Sequence, residues 1–247
     1  AAAAAVVVVS FGCGIGVGTR WLRLRDRERL RQATSRTKKI LQKSQKAALG
    51  PLMTMTSSLL ETVVGNNEEG RRQRIIVIGA GNYGTAMAYM AASNPQGHDV
   101  VLFMRDEEQC KAFRETGRNP KYLSQYALND PNSENKNNTI RAICKEEDLT
   151  KELQEYPNVI VILSLPCQRT PDWIRDHRHV IPHDALLVNT SKGLYLKTQQ
   201  LIGHAILDAL DRAEQPLAFL SGPGFAEEIV KGFPTSVVIA SDQLFLA

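Results

Sequence analysis

The run Arg74-Ile75-Ile76-Val77-Ile78 passes directly into Gly79-Ala80-Gly81-Asn82-Tyr83-Gly84, and Thr85-Ala86-Met87-Ala88 follows in helix-favouring residues. Glycines at the first, third and sixth positions of a turn between a strand and a helix leave few folds open to the chain. Gly79 permits the tight turn, Gly81 lets the backbone come close to a pyrophosphate, and Gly84 lets the helix lie close on the strand. The helix N-terminus behind them offers free N–H groups and the positive end of its dipole to phosphate oxygens.

Beyond that turn, short apolar runs alternate with helix-length polar stretches. The runs at 75–78, 100–104, 140–143, 159–163, 185–188, 217–220 and 236–240 are β-branched or leucine-rich, as strands buried on both faces of a parallel sheet are. Between them, 85–92, 107–115, 149–155, 167–176 and 198–212 have the length and composition of crossover helices, and 226–230 reads as a further helix. The pattern predicts an α/β fold with a doubly wound, mostly parallel Rossmann-type sheet over residues 71–247. Residues 129–138 read as a polar, asparagine-rich loop without assignable chemistry.

The second strand ends at Met104-Arg105-Asp106, 21 residues past Gly84, where NAD-specific folds place a carboxylate for the ribose 2′-hydroxyl. Here a guanidinium comes first. Arg105 can pair with the 2′-phosphate of NADP or stack on adenine, and Asp106 is expected to cap the next helix.

At 247 residues and 43% hydrophobic content, the chain can bury a sizeable core, which excludes wholesale disorder and collagen-like architectures. Cys13, Cys110, Cys144 and Cys167 form no C-x-x-C pair, so neither a zinc ribbon nor a disulfide framework is indicated. His177 and His179 lack the i, i+4 spacing of a helical metal site, and no metal is expected. The absence of G-x-S-x-G and P-loop patterns removes hydrolase and kinase readings.

The net charge of +4 is unevenly spread: residues 1–74 carry 14 basic and 5 acidic side chains, whereas 75–247 carry 16 and 21. The basic balance therefore belongs to the N-terminus, and no nucleic-acid partner is expected for the folded part. Residues 1–19 are uncharged, and Arg20, Arg23, Arg25, Arg27, Arg29 and Arg31 follow. Such a segment is at the lower edge of bilayer-spanning length, so residues 1–31 are expected to direct the protein to a membrane or organelle, their arginine side facing the cytoplasm or an equivalent compartment. A low-complexity leader that never folds is the other reading, and it leaves the protein cytoplasmic. Residues 20–70 read as a basic extension and linker, so the N-terminal extension is expected to be disordered or helical. The chain opens on Ala1 rather than methionine, and residues upstream are expected.

Several segments in order carry a family likeness: Gly79 through Ala86, Phe103-Met104-Arg105-Asp106-Glu107-Glu108, Asn119-Pro120-Lys121-Tyr122-Leu123, Leu165-Pro166-Cys167-Gln168, Ser191-Lys192-Gly193-Leu194, Leu220 through Glu228, and Gly232-Phe233-Pro234-Thr235. Together they resemble the N-terminal half of the NAD(P)-dependent glycerol-3-phosphate dehydrogenases in their bacterial and plastid form. The resemblance implies that Asn82, Tyr83, Arg105, Lys192 and Ala226 contact NAD or NADP beside the glycine loop. It implies that Lys192, Gly222 and Gly224 meet the small-molecule substrate, dihydroxyacetone phosphate or glycerol 3-phosphate. It further implies a homodimer at full length, and a helical C-terminal domain, absent from this chain, that supplies the proton-donor lysine beyond Ala247. Three positions depart from the family pattern: Gly224 stands where Ser or Thr is usual, Tyr83 where Trp is common, and Tyr195 where Glu commonly follows the K-G-I motif.

The residues point the same way without the name. Reducing a ketone phosphate needs a placed nicotinamide, a cation for the developing alkoxide and donors for the phosphate. Lys192 follows the fifth strand at the carboxyl edge, where an open α/β sheet gathers its ligands, and the turn from Pro223 to Ala226 presents backbone N–H groups to that edge. Three classes of protein fit: an oxidoreductase of which this is the cofactor half, a dinucleotide-binding module without turnover, or a membrane-tethered scaffold. Coding sequence that continues past Ala247 into a helical domain would favour the first.

Overall fold

The computed structural model describes residues 5–11, 21–23, 72–94, 96–129, 139–233 and 235–241. Strands β1 (Ala5–Phe11) and β2 (Trp21–Arg23) come first. Then β3 (Arg74–Ile78), α1 (Asn82–Ala92), β4 (Asp99–Phe103), α2 (Glu107–Thr116) and β5 (Ile140–Ile143) build one half of the sheet. The other half is α3 (Glu146–Gln154), β6 (Ile160–Leu163), α4 (Thr170–His177) and β7 (Leu186–Asn189), followed by a short hairpin of β8 (Leu194–Tyr195) and β9 (Gln200–Leu201). The last elements are α5 (Ile202–Leu210), β10 (Leu217–Ser221), α6 (Ala226–Val230) and β11 (Thr235–Ser241).

The sheet order is β2-β1-β11-β10-β7-β6-β3-β4-β5. All pairings from β5 through β10 are parallel, and β11 runs antiparallel to β10. The chain moves outward from β3 to β5 and then returns to the other side of β3 as β6. That reversal opens a crevice at the carboxyl ends of β3 and β6, the place where such sheets bind ligands.

Helices on both faces explain why β3 is apolar along its length: all five of its residues are buried. Its alternate side chains enter two different cores. Ile75 and Val77 join Met87, Leu102 and Phe113 on the α1/α2/α6 face. Ile76 and Ile78 join Leu153, Leu163, Ile174 and Ile206 on the α3/α4/α5 face. The doubly wound, mostly parallel sheet expected from the sequence is the fold observed.

The N-terminal extension departs from the expectation of disorder or helix in two segments. Ala5–Phe11 is a strand paired antiparallel with β11 from Ala5↔Ser241 to Phe11↔Thr235, and Trp21–Arg23 pairs with it in turn. Its β-branched run Val6–Val9 suits a strand, and β11 offers an edge of unpaired N–H and C=O groups. Residues 12–20 and 24–71, which hold the rest of the expected leader, basic extension and linker, lie outside the described residues, as does the polar loop at 130–138. Among the described residues no helix is long and apolar enough to cross a membrane.

Smaller differences have local causes. The helix expected at 198–212 starts at Ile202, because residues 196–199 turn the chain between β8 and β9, with Gln199 at φ 56°. Helix α1 begins at Asn82, three residues before its expected start, so Asn82 and Tyr83 form its first turn.

Leu163 is fully buried at the end of β6, immediately before the residue beneath the glycine turn. Leu163→Ala is expected to cost about 3–5 kcal/mol, the transfer loss plus a cavity. Urea denaturation of the two proteins measures it, and a loss below about 1 kcal/mol would show that the switch region repacks freely.

Candidate functional site

The turn after β3 is tight because the helix behind it comes very close. Gly84 is buried, and a Cβ on it would lie 1.9 Å from the Gly79 carbonyl oxygen. Gly79 has φ 104°, and a Cβ there would lie 2.7 Å from the Ser164 carbonyl oxygen. Gly81 differs, since nothing lies within 4 Å of its Cβ position. It is the N-cap of α1, where no side chain caps the helix and no acidic residue occupies the first turn. The leading N–H groups of an 11-residue helix thus meet open space, an arrangement that suits an anion.

A buried polar network holds this turn in place. The Ala80 carbonyl accepts from Asn119 Nδ2 at 3.0 Å, Thr85 Oγ1 at 3.3 Å and Gln109 Nε2 at 3.4 Å. Asn119, fully buried, also donates to Thr85 Oγ1 at 2.8 Å and accepts from Gln109 Nε2 at 2.7 Å. Its Oδ1 further accepts from the backbone N–H groups of Lys121 and Tyr122, each at 3.2 Å. With the Ala80 carbonyl turned inward, the planar trans peptide directs the Gly81 N–H away from the network. Sequence reasoning quoted Asn119 within a family motif and passed over Gln109. The contact spans 39 residues and leaves no local signal.

At the crevice lies a cleft of about 1100 Å³, lined among others by Gly79, Gly81, Tyr83, Arg105, Ser164 and Arg169. Its acids are largely engaged. Asp106 pairs with Lys121, Glu146 with His177 at 2.9 Å, and Asp172 with Lys197 at 2.7 Å. The Lys121 ammonium holds the Asp106 carboxyl below the usual carboxylate range, and Asp106 raises Lys121 in return. Asp106 also caps α2 as expected, accepting from the Gln109 N–H at 3.0 Å. The guanidiniums of Arg105 and Arg169 have no hydrogen bond or ion pair among the described residues, so the cleft retains two uncommitted cations.

Further along the same edge stand the other expected site residues. Lys192 is exposed, and its Nζ donates to the Gly222 carbonyl at 3.4 Å, bringing together two positions 30 residues apart. A Cβ on Gly222 would lie 2.5 Å from the Ser236 carbonyl oxygen, and one on Gly224 would lie 2.4 Å from Thr235 Oγ1. The missing side chain at 224 thus leaves room for the Thr235 hydroxyl. Ala226 opens α6, which packs beside α1. The cleft that holds Gly79, Gly81, Tyr83 and Arg105 extends toward this group as far as Thr190 and Ser191; Asn82, Gly84, Lys192, Gly222, Gly224 and Ala226 are not in its lining.

The segment carrying Lys192 is fastened on both sides. Buried Asn189 donates to the Ser191 carbonyl at 2.8 Å and accepts from Ser191 Oγ at 2.9 Å. On the other side, Gln168 Nε2 donates to the Leu194 carbonyl at 2.7 Å, and the Leu196 N–H returns to Gln168 Oε1 at 3.0 Å. Tyr195 Oη donates to Asp172 Oδ1 at 2.8 Å. None of Asn189, Gln168 or Asp172 was singled out from sequence for this task. Among the described residues no group of three or more His, Cys, Asp or Glu could hold a metal.

Comparison with known proteins agrees with this geometry. Residues 74–247 match the family described as NAD-dependent glycerol-3-phosphate dehydrogenase N-terminus. Glycerol-3-phosphate dehydrogenase (NAD(P)+) of Lawsonia intracellularis is 33% identical over 171 residues, covering 68% of this chain and 45% of the relative. The enzyme of the same name from Moorella thermoacetica is 34% identical over 171 residues, covering 69% and 45%. The chain therefore spans about half the length of the curated relatives it matches. The fold is shared with the crystal structure of glycerol-3-phosphate dehydrogenase from Coxiella burnetii, at TM-score 0.52 and 23% identity over 65% of this chain and 44% of that one.

Two outcomes follow from the geometry. Gly84→Ala, forced against a backbone carbonyl, is expected to lose about 2 kcal/mol or more, whereas Gly81→Ala should keep or slightly raise stability. Thermal unfolding compares them, and equal effects would mean that the helix does not pack as closely as described. Asp172 is pulled down to about 2, by the Lys197 ammonium first and the Tyr195 hydroxyl next. Because that lies below an unfolded aspartate near ~3.9, the pairing stabilises the fold above pH ~4, and its contribution is lost as pH falls through about 2. A carboxyl-detected NMR titration should place the Asp172 midpoint near 2; a midpoint near ~4 would mean that the pairing does not persist in solution.

Proposed function

The chain belongs to the NAD-dependent glycerol-3-phosphate dehydrogenase family through its N-terminal domain, and from that premise we propose that it binds NAD or NADP across the β3/β6 crevice. We further propose that it is the cofactor half of an oxidoreductase interconverting dihydroxyacetone phosphate and sn-glycerol 3-phosphate. The reading rests above all on Gly81, whose empty Cβ space lies at the uncapped N-terminus of α1. There the pyrophosphate meets N–H groups that no acceptor among the described residues has taken.

Each residue then has a task. The network on the Ala80 carbonyl fixes the turn before the ligand arrives, so little order has to be created on binding. Arg105, with no partner among the described residues, pairs with a 2′-phosphate or lies against adenine. When bound, the nicotinamide supplies or accepts the hydride exchanged with the substrate carbon. Lys192 and the Gly222–Gly224 turn receive the substrate at the neighbouring strand ends, the ammonium facing the carbonyl oxygen where negative charge develops. The proton for that oxygen is assigned to a lysine in the part of the relatives that this chain does not span. Cofactor binding thus belongs to these residues, and turnover belongs to the whole protein.

Titration calorimetry of the full-length protein with NADH and NADPH tests the reading. Both dinucleotides should bind, Gly81→Val should abolish binding by either, and Arg105→Ala should weaken NADPH about tenfold to a hundredfold while sparing NADH. A folded protein that takes up neither dinucleotide at millimolar concentration would overturn it. Binding without any oxidation of NADH or NADPH in the presence of dihydroxyacetone phosphate would reduce the function to a dinucleotide-binding module.

A further inference from the structure

Lys192 sits on a corner that the sheet itself does not fix. It follows the end of β7 by three residues, and Gly193 behind it has φ 116°, a conformation in which the chain turns sharply. The ammonium is therefore only as well placed as the two segments flanking it. Before the corner, Asn189 closes two bonds with Ser191, and the Thr190 hydroxyl donates to the Leu163 carbonyl at 3.0 Å. After it comes the β8–β9 hairpin, a two-residue ladder that is too short to hold itself in water.

Besides the Gln168 amide, which meets Leu194 and Leu196, and the Gln200–Asp208 bond to α5, the hairpin is held by α4. Tyr195 is 2% exposed while its neighbours Leu194 and Leu196 are 48% and 69% exposed, so the tyrosine is the hairpin's inward anchor. Burial of the ring alone would not require a hydroxyl. That hydroxyl is aimed at Asp172 Oδ1 at 2.8 Å, the same oxygen that Arg175 reaches at 3.1 Å, while Lys197 holds Oδ2 at 2.7 Å. The carboxylate is already neutralised by two cations, and the tyrosine adds direction rather than charge balance. Asp172 also lines the cofactor cleft, so the bond links the wall of the cleft to the strand that follows Lys192.

We propose that Tyr195, through its hydrogen bond to Asp172, is a positioning residue for Lys192, setting where the ammonium stands over the β7/β10 edge. The proposal deepens the reading of Lys192 as the carbonyl-facing cation and rests on it. Tyrosine at 195 combines a buried apolar ring with a donor at its tip, so one side chain both seats the hairpin and aims it at α4.

A double-mutant cycle in the full-length protein tests this, with kcat and KM for dihydroxyacetone phosphate measured alongside the NADPH dissociation constant. Tyr195→Phe keeps the ring and removes the donor. It should lower kcat/KM about tenfold, the loss of one well-placed hydrogen bond, and leave NADPH affinity within about twofold. In a Lys192→Ala background the same change should have no further effect on kcat/KM, since the group it positions is gone. Asp172→Asn, which keeps an acceptor and fills the same volume, should lose less than Tyr195→Phe, and it gives a second cycle if the phenylalanine variant unfolds early. Equal losses from Tyr195→Phe in the two backgrounds would overturn the proposal and leave the assignment of Lys192 standing. Lys192→Ala with unchanged kcat/KM would overturn both.

Discussion

The close approach of α1 to the end of β3 is the constraint on which the rest depends. Gly84 faces the Gly79 carbonyl at a separation that admits no Cβ, and the helix can reach that depth only because position 84 carries a hydrogen alone. This depth aligns the first turn of α1 with the crevice between β3 and β6. It also forces the Ala80 carbonyl inward, where it would be a buried acceptor without water. Asn119, Gln109 and Thr85 satisfy it, and each of them is buried. One steric requirement thus generates a polar network that reaches into α2 and the loop after it.

Electrostatics in the cleft work by subtraction. The site contains acids as well as bases, and a bare count of charges would not suggest an anion site. Asp106, Glu146 and Asp172 are each engaged by a cation or histidine close by, and Asp106 additionally closes the start of α2. Pairing leaves Arg105 and Arg169 without partners among the described residues, beside the uncapped helix end. Positive potential arises there because three of the four carboxylates in the lining are already engaged, and among the described residues Asp176 alone is left against the two guanidiniums.

Much of this was legible in the sequence, for reasons that can be named. The unbroken apolar run of β3 marks a strand buried on both sides, because Ile75 and Val77 serve one core and Ile76 and Ile78 the other. The glycine spacing located the turn, since each of two glycines answers a contact that any side chain would break. Asp106 as a cap and Arg105 at the strand end were readable from their places at the boundary of an element. The clasp on the Lys192 segment was not readable. Gln168 meets Leu194 and Leu196, and Asp172 meets Tyr195, across 23 to 28 residues, and such pairings follow from helix docking rather than from any periodicity. The strand at Ala5–Phe11 escaped notice for a related reason: a valine run has no intrinsic partner, and its pairing depends on the edge left open by β11.

The separation between the two halves of the site is set by the sheet. From β3 to β7, which Lys192 follows, the order runs through β6, two neighbour spacings, or about 10 Å at ~4.8 Å each. A ligand that meets the glycine turn, Lys192 and the Gly222–Gly224 turn must lie across the carboxyl ends of β3, β6, β7 and β10, so its placement depends on their register. The parallel ladders fix that register at Ile78↔Leu163, Leu163↔Asn189 and Asn189↔Phe219. A slip of one residue in any of them would turn every side chain of that strand to the opposite face. The two hydrophobic cores that fold the domain are therefore also what keeps the helix end and the ammonium at a fixed separation.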